Sequence, residues 1–123
     1  MAADTLTMPV TRIYTGDDQQ SHFEQLNIPM GPHGIIGHLS ETYPASGVVF
    51  RHNDGDYDYD WHNAPARQYI VILEGELEVT VGSGEKRVFR GGDVVLAEDL
   101  DGQGHISRTI DNKPRKSIFI TID

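Results

Sequence analysis

The sequence predicts an all-β chain, a sandwich or barrel of short strands. Short runs of β-branched and aromatic residues recur at near-regular spacing, with 13 Gly and 6 Pro to punctuate them. No long stretch carries apolar residues three and four apart, so helix is confined to at most a single turn near Asp17–Gln20. The length, 123 residues, suits one domain with one core.

The elements follow in order. Residues 1 to 10 read as a flexible N-terminal arm and residues 11–123 as one domain. Thr11-Arg12-Ile13-Tyr14 and Ser21-His22-Phe23-Glu24 are the first strand-like runs, and Val48–His52 follows a Gly/Pro/Ser-rich loop. Tyr69–Leu73 is apolar throughout, while Glu76–Val81 alternates strictly and meets Lys86–Phe89 through the hairpin signal Gly82-Ser83-Gly84-Glu85. Gly91-Gly92-Asp93 turns into Val94–Ala97, and Ser117–Ile122 closes the chain. No repeat or low-complexity linker divides it.

Composition narrows the function. The formal net charge of -9 disfavours nucleic acid and anionic membranes, both of which need clustered Lys and Arg. There is no Cys, so a metal would be held by His, carboxylate, amide or water. Met1–Leu6 carries neither a basic region nor an apolar run, and no apolar stretch has spanning length, so a cytoplasmic location is expected. No phosphate-cradling loop and no nucleophile triad in recognisable local context is present.

The segment Trp61-His62-Asn63-Ala64-Pro65-Ala66-Arg67-Gln68, with Gly75 and the downstream Gly102-Gln103-Gly104-His105, carries the chemical signal. Two imidazoles and an amide from separate strands are candidates to surround one ion. Through these residues the chain resembles the single-domain cupins, chiefly over residues 47–122 and most closely from Trp61 to His105. The family's first motif is His-x-His, three or four residues, Glu, six residues, Gly. Its second is Gly, five residues, Pro-x-Gly, two residues, His, three residues, Asn.

Counted from Gly75, Gln68 takes the place of the Glu, Ala64 that of the second His and His62 that of the first. In the second motif Gly102 and His105 match. Leu100 stands for Pro, Thr109 for Asn, and Gly92 opens the motif with two extra residues. A longer loop before Gln68 gives another placement, with Asp60 and His62 as the two-apart pair. Alternation puts Asp56, Asp58, Asp60 and His62 on one side of a strand and Tyr57, Tyr59 and Trp61 on the other.

The resemblance implies a jelly-roll β-barrel with a small-molecule cavity, a homodimer, and a divalent metal (Fe, Mn, Ni, Cu or Zn). His62, His105, and Gln68 or Asp60 would hold it; Asp60 would serve as a base if it is not a ligand. His52, Ile70, Ile72, Ser107 and Thr109 are expected to line the cavity. The implied function is a metal-dependent enzyme on a small organic acid, phenol or diketone, of dioxygenase, isomerase or lyase type. A non-catalytic ligand-binding cupin and a metal-free sugar isomerase or epimerase are the alternatives. Arg67 and Arg108 read as outward-facing, and Glu98-Asp99-Leu100-Asp101 as a charged turn.

Overall fold

A computed structural model describes residues 6–123. Eleven strands run in order: β1 (Leu6–Thr15), β2 (Ser21–Pro32), β3 (His38–Leu39), β4 (Gly47–Asn53), β5 (Asp58–His62), β6 (Gln68–Glu74), β7 (Glu76–Thr80), β8 (Lys86–Arg90), β9 (Val94–Ala97), β10 (His105–Arg108) and β11 (Arg115–Thr121). One 3₁₀ turn, Gly34–Ile36, interrupts them, and the described residues contain no α-helix. Residues 16–20 form a tight turn rather than a turn of helix, with Gln19 in the left-handed region at φ 62°. Residues 6–10 of the expected arm continue β1, paired with β2 from Leu6↔Met30 onwards; residues 1–5 lie outside the described residues. No helix among the described residues is long and apolar enough to cross a membrane.

The strands form two sheets. The larger runs β3-β2-β1-β9-β6-β11-β4 and the smaller β5-β10-β7-β8. All pairings are antiparallel except β1 with β9. The β7–β8 hairpin shows how alternation becomes architecture. Leu77 and Val79 are buried while Glu76 and Glu78, which alternate with them, are less so, and the pairing Thr80↔Lys86 fixes the register. Ile13, Ile72, Leu77, Val79, Phe89 and Val95 form the core between the sheets, with Phe23, Tyr57 and Ile70 packed on it. Burying each such large apolar side chain stabilises the fold by about 1.5–3 kcal/mol.

Two register details position the site. On β11, Ser117 faces Arg51 of β4 on one side and Ile72 of β6 on the other. Cross-strand neighbours share a face, so Arg51, Ile72 and Ser117 point into the barrel together. Between β5 and β10, His62 pairs with His105 and Tyr59 with Ser107. Three steps on β5 therefore match two on β10, which is a β-bulge at Asp60-Trp61.

Candidate active-site cavity

A cavity of about 210 Å³ opens between the sheets. The small sheet contributes Tyr59, His62, Leu77, Val79, His105 and Ser107 to its walls, with Tyr57 from the loop just before β5. The large sheet contributes Gln68, Ile70, Ile72, Val95, Arg115, Ser117 and Phe119, with Arg51 at its β4 edge. An apolar cavity of about 150 Å³ takes benzene, so this space suits one substituted ring or a short-chain acid.

His62 and His105 meet here, their ring centroids 4.5 Å apart and tilted by 57°. The bulge makes this possible. Tyr59 faces inward, Asp60 and Trp61 together occupy the place of one residue, and His62 faces inward again. Its ring stacks on Tyr59 at 3.7 Å between centroids and 4° between planes. The His62 Nδ1–H donates to the Asp60 carbonyl at 2.7 Å, leaving Nε2 as the free nitrogen. Burial lowers the His62 pKa and outweighs the opposing Asp60 hydrogen bond; His105 and Arg51 push in the same direction as burial.

His105 is buried, and its Nδ1 is hydrogen-bonded to Oδ2 of Asp99. Asp99 is 0% exposed, and the same oxygen accepts from the Ser21 hydroxyl at 2.7 Å. Oδ1 of Asp99 is buried without a hydrogen-bond partner. The loop holding Asp99 is pinned next door. Glu98 bonds Arg12 through one oxygen at 2.6 Å and Arg67 through the other at 2.6 Å. Burial raises the Glu98 pKa, but the two arginines outweigh it and hold the carboxyl below the usual range. Gly104 sets the approach of His105 to β5. It lies at φ 77°, and a Cβ there would strike the His62 carbonyl.

The structure therefore brings together His62, His105, Gln68, Ile70, Ile72 and Ser107. It does not bring in Asp60, which opens instead onto the outer surface of the small sheet with Asp58, Glu78 and Arg108. Simple alternation would pair Asp60 with His62; the bulge breaks that alternation between them. His52 also faces outward, beside Asp54. It alternates in step with Val48 and Phe50, which are 56% and 79% exposed, while Arg51 and Asn53 take the inner side. Thr109 is not in the cavity wall; its hydroxyl accepts from Arg115 at 3.3 Å. Arg67 and Arg108 are turned outward onto Glu98 and Glu78.

Asp99, Arg51 and Arg115 are functional candidates that the sequence reading missed. The charged run hid Asp99, yet it continues the alternation of Val95 and Ala97, both cavity residues. Arg115 shares parity with Ser117 and Phe119 in the same way.

The donor set for a divalent metal is two imidazoles and the Gln68 amide. Each imidazole has its Nδ1 anchored, an arrangement usual for metal-binding histidines. No group of three His, Cys, Asp or Glu able to hold a metal exists among the described residues. Stable sites of this kind use three or four protein donors, with an anion to offset the charge or a third imidazole. The residues present fall short of that set.

No family model matches the chain. A Neurospora crassa protein, the cupin-domain-containing oxidoreductase srdB, is 40% identical over 62 residues, 50% of this chain and 31% of that one. The chain thus spans about a third of that relative's length. Among solved structures, the cupin domain of Schizosaccharomyces pombe Cnp3 superposes with a TM-score of 0.51 at 12% identity, covering 98% of this chain and 85% of that one. Protein NMB1881 of Neisseria meningitidis gives 0.48 at 18% identity, over 62% of this chain and 72% of that one.

Proposed function

The chain being a cupin domain in its fold, we propose that it is a small-molecule enzyme that moves a proton within a bound organic acid, phenol or diketone, with His105 as the base. The observation that carries this reading is the bond from His105, in the cavity wall, to the fully buried Asp99 behind it. A carboxyl on Nδ1 fixes the ring and its tautomer and offsets charge when Nε2 takes a proton. Asp99 and Ser21 are positioning residues, since neither lines the cavity.

The chemistry needs no outside reagent. Nε2 of His105 accepts a proton from an acidic C–H or O–H, the electron pair moves onto the conjugated oxygen, and the proton returns to another atom of the same molecule. His62, disfavoured as a cation by burial, keeps a lone pair on Nε2 for the same proton or for a substrate hydroxyl. Tyr57 and Ser107, hydrogen-bonded to each other at 2.9 Å, supply hydroxyls beside the imidazoles.

The test is hydrogen–deuterium exchange at the α-carbons of pyruvate, phenylpyruvate and acetylacetone in D₂O, followed by NMR. Exchange above the buffer rate that falls by about 10²–10⁴-fold in His105→Gln supports the reading, the range a positioned base contributes. Exchange no faster than buffer, or unchanged in His105→Gln, overturns it.

The oxidoreductase relative motivates a second reading, redox chemistry, although the described residues His62, His105 and Gln68 fall short of a full metal donor set. Near-stoichiometric metal in protein grown in metal-supplemented medium, lost in His62→Ala and His105→Ala, would move the assignment there.

A further inference from the structure

Arg115 is 2% exposed and lines the cavity, yet its guanidinium bonds only neutral groups. One nitrogen donates to the Asn53 amide oxygen at 2.8 Å and another to the Thr109 hydroxyl at 3.3 Å. The Tyr57 ring lies 4.8 Å from its Cζ. Arg51, on the adjacent strand, rests against the rings of Tyr57 and Phe119, 5.2 Å from each centroid. Among the described residues neither arginine forms a salt bridge, whereas Arg12, Arg67, Arg87, Arg90 and Arg108 all do.

This arrangement is costly. A buried charge without an ionic partner loses hydration that hydrogen bonds to neutral groups restore only in part. The two guanidiniums also repel each other, and Asp111, which favours the charged Arg115, forms no salt bridge with it. Burial lowers the Arg115 pKa, which is the same penalty seen in the proton equilibrium. A chain with 19 acidic residues has placed none of its described carboxylates against this pair. An anion arriving in the cavity would meet two planar donors matched to a carboxylate.

We propose that Arg51 and Arg115 form a carboxylate seat at the β4–β11 side of the cavity, so that the substrates are small carboxylic acids. The seat rests on the proton-transfer reading for its role in turnover: it holds the acid group while the rest of the molecule lies under His62 and His105. The arginines are binding residues. Tyr57, Phe119, Ile70 and Ile72 supply the apolar surface between the two ends.

The probe pair is benzoate and benzamide, nearly equal in shape and differing in charge, titrated by calorimetry. The wild type is expected to bind benzoate at least about tenfold more tightly than benzamide, a preference of ~1.4 kcal/mol. Arg115→Met and Arg51→Gln are each expected to erase most of that preference by weakening benzoate far more than benzamide. Arg115→Met removes a desolvation cost but leaves the buried Asn53 amide oxygen without its donor. Should Arg115→Met fail to fold, Arg51→Gln carries the test, since no hydrogen bond to another residue depends on the Arg51 side chain among the described residues. Equal affinity for the two probes, no benzoate binding at millimolar concentration, or benzoate preference intact in Arg51→Gln would each overturn the seat. His105→Gln separates the two ideas. It should abolish proton exchange and keep the benzoate preference, so loss of exchange with preserved selectivity faults neither, and charge-blind binding faults the seat alone.

Discussion

Replacing Ser21 with Ala tests the foundation of the site without touching the cavity. The Ser21 hydroxyl and the His105 ring converge on a single oxygen of Asp99, and the other oxygen has no partner to take up a loss. A hydrogen bond to a charged group contributes about 1.5–3 kcal/mol to stability. Ser21 is 1% exposed and Asp99 0%, so water has little access to restore the bond, and the full range applies. Ser21→Ala should therefore lower the unfolding free energy by about 1.5–3 kcal/mol, and Tm by roughly 5–12 °C for a domain of this size. Urea unfolding at constant m reads the change. Ser40→Ala, which removes an exposed hydroxyl bonded to the Glu41 carbonyl, is the control and should stay within about 0.5 kcal/mol. A double-mutant cycle with His105→Gln should show coupling of about 0.5 kcal/mol or more, because both groups share the carboxyl. A loss below about 0.5 kcal/mol, or strict additivity in the cycle, would refute the idea that Asp99 is held from both sides.

Three further outcomes are expected. Gly104→Ala should cost more than about 1 kcal/mol and separate the two imidazoles, read as altered His62 and His105 ring signals by NMR, since φ 77° and the His62 carbonyl both oppose a Cβ. Stability should rise with pH in two windows. Glu98, with its pKa held low, binds fewer protons folded than unfolded, so its contribution is present above the usual carboxylate range and lost as pH falls through the lower folded value. His62, with its pKa lowered by burial, likewise binds fewer protons folded, so stability climbs up to about pH 6.5, the ordinary imidazole value; Glu98→Gln and His62→Gln should each flatten its own window in a pH series of urea midpoints. Asp60→Asn should leave the His62 and His105 ring signals and any bound metal unchanged, because that side chain lies on the outer surface.

Much of the barrel was legible because half-buried strands write their pleat into the chain. Leu77 and Val79 between glutamates, and the apolar run from Tyr69, gave β7 and β6 to within a residue or two. His62, Gln68 and His105 were legible through motif spacing. The rest failed for physical reasons. Apolar content misled on β4, an edge strand whose Val48 and Phe50 face outward while arginine and asparagine face in. Period-two reasoning misled on Asp60 because it assumes an uninterrupted ladder. Asp99 was hidden by its company: in Glu98-Asp99-Leu100-Asp101, Asp101 is exposed while Glu98 is tied down by two arginines and Asp99 is fully buried. A carboxylate's burial depends on partners as distant in sequence as Ser21, which no local pattern reports.

The extra residue between Tyr59 and His62 has a consequence for how this segment can vary. Removing Trp61 would restore ordinary pleating and still leave the imidazole aimed at its partner, because Tyr59, Asp60 and His62 would then alternate. Adding one residue after Trp61, with the present irregularity kept, would hand the inward position to the newcomer and turn the imidazole to solvent. Tolerance to length change here is one-sided: versions of this barrel with a shorter segment can keep the imidazole pair, and versions with a longer one must find another way to build it.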